Sequence, residues 1–150
     1  MRRRLFIPAA FGLAIGAAYA LSWTILERAW TPDAYAAMAI MTAAGIMAGM
    51  VALWLMRYLD KTDRFTRFAA ALLVLPAATT AFASLGLFAE RLIYADRPPF
   101  DIWLHQAWWV ASIAASAVFL FLAIAGRIML PFGVVLTVLF AALIAARPNR

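Results

Sequence analysis

AYAAMAIMTAAGIMAGMVALWLM, residues 34–56, holds 23 residues without an Asp, Glu, Lys or Arg. About 20 such residues, wound as a helix, span the hydrocarbon core of a bilayer. Working outward, the same pattern recurs at 5–26, 68–89, 102–126 and 128–146, each 19 to 25 residues long. The chain is 67% hydrophobic, against roughly 45–50% in soluble domains. In lipid every backbone N–H and C=O must be satisfied within the segment, which leaves helices for uncharged runs of this length. The expected fold is all-α. It is a polytopic membrane bundle of five helices at about 5–26, 34–56, 68–89, 103–126 and 129–146, forming one unit over 1–150 with no separate aqueous domain.

The net charge of +6 is unevenly spread. With the N-terminus cytoplasmic, the inner connections carry Arg2, Arg3, Arg4, Arg57, Lys61, Arg64, Arg67 and Arg127 against Asp60 and Asp63. The outer connections balance Arg28, Arg91, Arg97, Arg147 and Arg150 against Glu27, Asp33, Glu90, Asp96 and Asp101. This is the positive-inside asymmetry. It points to anionic lipid as the partner of the basic side and away from nucleic acid, for which no basic patch with interleaved aromatics exists. The expected location is a bacterial inner membrane.

Arg2–Arg4, the following apolar run and Ala18-Tyr19-Ala20 resemble a secretory leader with a small-residue cleavage site. At 22 uncharged residues the run is long for a leader, and it reads as a first transmembrane helix. Only Gly126-Arg127 and Pro131 interrupt the apolar stretch 102–146, so the final hairpin is expected to turn at Gly126-Arg127 and restart near Pro131, with a re-entrant or interfacial last segment as the alternative. Thr31 and Pro32 read as the cap and first residue of helix 2. Pro76 interrupts helix 3, with Thr79 and Thr80 placed to satisfy freed carbonyls.

Small residues recur four apart: Gly12, Gly16 and Ala20 in helix 1; Gly45 and Gly49 in helix 2; Ala107, Ala111 and Ala115 in helix 4, beside Ser112 and Ser116. Spaced so, they share a face and admit close backbone approach, which drives association where lipid already solvates apolar surface. At least one face is expected to meet another chain.

Chemistry is sparse. With no cysteine and one histidine, thiolate, disulfide, three-His zinc and bis-His haem chemistry are excluded within one chain. No cofactor is expected. Ionisable residues, the usual mark of pumps and transporters at the membrane midplane, are confined to the ends. An outer charged cluster comprises Glu27, Arg28, Asp33, Glu90, Arg91, Asp96 and Arg97. A 63-residue offset aligns Glu27-Arg28 with Glu90-Arg91 and Asp33 with Asp96, which sets them at one depth. Asp101 and His105, spaced i, i+4, are the candidate acid–base pair. With Glu90 and Asp96 they are also the weak candidates for metal ligands, although no metal is expected. Trp103, His105, Trp108 and Trp109 are the candidates for holding a lipid, quinone or pigment. Trp30, Tyr35 and Tyr94 join the outer aromatic belt, and Trp54 and Tyr58 the inner one.

The leading expectation for function is a non-catalytic membrane subunit that packs through its small-residue faces in a larger complex or with itself. A small oligomeric transporter or channel with an outer acidic and basic vestibule is the second. A membrane enzyme acting on a lipid-like substrate is the third.

Overall fold

The computed structural model describes residues 2–59, 62–94, 103–120 and 126–146. The described residues form five helices: α1 (Arg2–Ile25), α2 (Pro32–Met56), α3 (Arg64–Tyr94), α4 (Trp103–Leu120) and α5 (Gly126–Ala145). Three are long and apolar enough to cross a membrane, over Phe6–Ile25, Pro32–Met56 and Arg64–Tyr94. Among the described residues α5 carries a shorter apolar stretch, Phe132–Ala145.

α1 packs on α2, α2 on α3, α3 on α5 and α5 on α1, closing a four-helix ring, while α4 lies outside against α3. The ring is filled by residues three and four apart, the spacing that keeps side chains on one helical face. α1 contributes Ile7, Phe11, Ile15 and Tyr19; α2 contributes Met41, Ala44, Ala48, Ala52 and Met56; α3 contributes Ala71, Leu75 and Ala83. Phe11 meets Phe140 of α5 with ring centroids 5.1 Å apart.

Glycines set the α1–α2 spacing. A Cβ on Gly12 would strike Ile46 Cγ1 and approach the Thr42 carbonyl oxygen to 2.6 Å; one on Gly16 would strike Thr42 Oγ1. A Cβ on Gly45 would come within 2.8 Å of the Gly12 Cα, and one on Gly49 within 2.8 Å of the Pro8 Cα. Gly12 and Gly45 therefore face each other, flanked by Gly16 against Thr42 and Gly49 against Pro8, across an antiparallel pair within one chain. Gly86 of α3 sits against Ile40 of α2, and the short link from Met56 to Arg64 between two packed helices makes α2 and α3 antiparallel too.

Several boundaries differ from the sequence reading. Helix 3 does not stop at Ala89. Its 31 residues run from Arg64 through Glu90-Arg91 to Tyr94, because neither charge breaks a helix and Gly or Pro appears only later. Gly126, Arg127 and Pro131 lie inside α5 rather than in a turn before it. Pro131 is the sixth residue of α5 and removes one N–H from the hydrogen bonding of that helix. Thr79 donates to the Leu75 carbonyl oxygen at 2.7 Å, not to the Leu72 oxygen that Pro76 leaves without its helical donor. Thr31 and Pro32 take the expected places: Thr31 Oγ1 accepts from Ala34 N at 3.3 Å and Pro32 opens the helix.

Candidate functional site

The antiparallel register brings the C-terminal end of α1, the N-terminal end of α2 and the C-terminal end of α3 together at one end of the ring. The glycine contacts pair Gly16 with Thr42 and Ile40 with Gly86. Carried outward along the helices, that register sets Ser22 level with Tyr35–Ala36 of α2 and with Glu90–Arg91 of α3. Glu90 thus lies about a turn deeper than Glu27, and the two Glu-Arg pairs of the 63-residue offset do not share one level. Their backbones differ as well. Glu90-Arg91 is helical, whereas Glu27 adopts φ 51° in the turn after α1.

That turn is a Schellman cap. Arg28 N–H bonds to the Trp23 carbonyl at 3.4 Å and Glu27 N–H to the Thr24 carbonyl at 3.0 Å. The C′ position of such a cap is left-handed and normally glycine. Here a glutamate occupies it. The reversal swings Arg28 back over the Trp23 ring, with its guanidinium carbon 5.3 Å from the centroid. Trp23 is itself fixed, since its Nε1–H donates to the Ala29 carbonyl at 3.1 Å.

Around this point four aromatic rings form a ladder. Tyr19 stacks on Trp23 at 5.7 Å, Trp23 meets Trp30 at 6.5 Å, and Trp30 meets Tyr35 at 5.1 Å. The ladder starts in the core, where Tyr19 is 4% exposed, and ends on the surface at Tyr35. The Arg28 guanidinium and the Glu90 carboxylate both lie within electrostatic reach of the Tyr19 hydroxyl. Glu90 is half-buried, while Glu27, Arg28, Asp33 and Arg91 are exposed. Among the described residues no ion pair joins these five groups.

Hydroxyls elsewhere bond back to their own helices, as in Thr42 to the Met38 carbonyl at 2.9 Å and Thr137 to the Gly133 carbonyl at 2.7 Å. Ser22 does not. Its Oγ is buried without a hydrogen-bond partner, and the residue is 5% exposed. Ser84 Oγ is likewise buried without a partner, but deeper in the ring.

Asp96, Arg97 and Asp101 lie outside the described residues, and with them the Asp101–His105 pair and the metal set with Glu90. Among the described residues no group of three metal-ligating side chains occurs. Trp103, His105 and Trp108 are exposed in the first turns of α4. Trp109 is half-buried, and Ala117 is the fully buried residue of α4 among those described. Ala107, Ala111, Ser112, Ala115 and Ser116 are exposed. Tyr19 and Trp23 were not singled out as site residues by sequence. Their i, i+4 spacing on α1, one turn before Glu27-Arg28, is the signal that marks them.

Comparison of the chain with protein-family models, curated proteins and solved structures gives no match in any of the three.

Proposed function

We propose that this chain is a non-catalytic subunit of a membrane assembly, crossing a bacterial inner membrane five times and using α4 as its docking helix. The observation that carries this reading is the unequal use of the small-residue faces. Those of α1 and α2 are consumed against each other at Gly12, Gly16, Gly45 and Gly49. That of α4, at Ala107, Ala111 and Ala115, is exposed.

In lipid, apolar area alone gives no preference for a protein neighbour, and close backbone approach supplies the contact energy. A small-residue face therefore offers a second helix more than it offers lipid. Ser112 and Ser116 fit such a contact, because their hydroxyls donate to the Trp109 and Ser112 carbonyls at 2.8 Å and present no unpaired donor to a neighbour. The partner is a helix of another subunit or a second copy of this chain.

The test is purification in mild detergent from the native membrane, wild type beside Ala111→Leu/Ala115→Leu. The wild type is expected to elute as an assembly. The double variant, whose changes face away from the ring, is expected to elute alone with unchanged helicity. A wild-type chain that elutes as a stable monomer with no companion subunit would overturn the proposal.

A further inference from the structure

We propose that the ring end around Arg28 binds the headgroup of an ethanolamine phospholipid, with the phosphate on Arg28 and the ammonium at Glu90. This site is independent of α4 and of the assembly reading above.

The Arg28 guanidinium carbon lies over Trp23, 5.3 Å from the ring centroid, and no carboxylate pairs with it among the described residues. A guanidinium set over a ring keeps N–H donors available for the bidentate contact that suits a phosphate. Glu90 poses the opposite need. A half-buried carboxylate requires a donor or a cation to offset its lost hydration, and no ion pair supplies one among the described residues. Arg28 and Glu90 both reach Tyr19 electrostatically yet do not pair with each other, so opposite charges stand apart at one end of the bundle. Ser22, unpartnered and 5% exposed, sits at the level of Glu90 and faces inward with Tyr19, three residues before it.

Charge selects among headgroups. The outer connections balance five basic against five acidic residues, which gives a purely anionic lipid no advantage here. A zwitterion answers both signs. A primary ammonium brings three N–H donors, enough for Glu90 and for the hydroxyl oxygen of Ser22 or Tyr19, whereas a trimethylammonium brings none. Trp30 and Tyr35, both partly exposed, present flat amphipathic rings at the depth where headgroups lie.

The experiment uses the full chain in lipid-free mild detergent, titrated with dioleoyl-phosphatidylethanolamine, -phosphatidylcholine or -phosphatidylglycerol and read by native mass spectrometry. Wild type is expected to bind the ethanolamine lipid about tenfold more tightly than the other two, the value of one charge-assisted hydrogen bond. Glu90→Gln should remove the preference over the choline lipid, and Arg28→Gln should weaken all three.

Equal binding of the three lipids by wild type, as a plain interfacial belt would give, overturns the proposal. So does a preference that survives Glu90→Gln. A second measurement on wild type alone does not depend on either variant folding. Glycerophosphoethanolamine should shift the tryptophan emission where glycerophosphocholine does not. An equal response to both, or none to either, would count against the headgroup as the recognised part.

Discussion

Glu27 holds a left-handed backbone that costs a non-glycine residue roughly 1–2 kcal/mol. In return the turn carries Arg28 over Trp23. Glu27→Gly should therefore stabilise the chain by about 0.5–1 kcal/mol in a denaturant or thermal unfolding series, the strain relieved less the entropy that glycine adds to the unfolded state. Glu27→Ala, which removes the carboxylate but keeps the Cβ, should show no such gain; an equal gain in both variants would mean that charge, not backbone, sets the cost. Asp63 is a cap of the opposite kind. Its carboxylate accepts from Thr66 Oγ1 at 2.5 Å and from the backbone N–H groups of Thr66 and Phe65 at 3.2 and 3.1 Å. Those bonds, the Thr66 hydroxyl first, hold its pKa below the ordinary carboxylate range. A depressed folded pKa contributes stability that is present above the unfolded value, about 3.9, and is lost as pH falls through the lowered folded value. Asp63→Ala should lower the unfolding midpoint at pH 7, and the gap to wild type should close as pH falls below about 4. A gap independent of pH would show that the carboxylate does not act as this cap.

α1 and α2 are locked by backbone contact, and that makes their glycines unequal to Gly86. A Cβ at Gly45 or Gly49 meets a backbone Cα at 2.8 Å, whereas at Gly86 it meets the Cγ2 branch methyl of Ile40 at 2.6 Å. A backbone cannot yield without moving a helix, while Ile40, stiff at χ1, must shift its side chain to make room. Gly45→Ala and Gly49→Ala should each destabilise by about 1–3 kcal/mol, the usual cost of overpacking. Gly86→Ala should cost less, since the clash is with a side chain and alanine is the better helix former by about 1 kcal/mol. Reversible unfolding in mixed micelles would rank them, and equal losses at Gly45 and Gly86 would contradict the contact geometry. The glycine faces were legible in the sequence because a four-residue spacing maps directly onto a helix face. Which face met which was not, since spacing carries no information about partners. The aromatic ladder was half legible: Trp30 and Tyr35 stood out as interfacial, but Tyr19 lay within an apparent leader motif and Trp23 within a plain apolar run. The ends of α3 and α5 were misplaced because charge was read as a stop signal, and Glu90, Arg91 and Arg127 instead continue their helices.

The whole molecule joins three helices long and apolar enough to cross a membrane to two further ones, and the proposed topology rests on the latter pair. α4 carries His105 and Gln106 near its start, and α5 opens on Gly126-Arg127. Length does not forbid a crossing. At 1.5 Å per residue, the 18 residues of α4 and the 20 of α5 reach about 27 and 30 Å, against a hydrocarbon core of about 30 Å. Charge supports it as well, because Arg127 then falls on the side of Arg57 and Arg64, as the positive-inside rule requires. The absence of cysteine makes the question directly measurable with single introduced cysteines and a membrane-impermeant maleimide on intact cells. Ala29→Cys, in the α1–α2 turn, should label without permeabilisation, and Thr62→Cys, between α2 and α3, only after it. For five crossings Asn149→Cys must behave like Ala29→Cys. If it behaves like Thr62→Cys while the first two hold, then α4 and α5 do not both cross. α5 would then be a re-entrant or interfacial element, held in the ring by Phe140, Ala141 and Ile144 rather than by the bilayer.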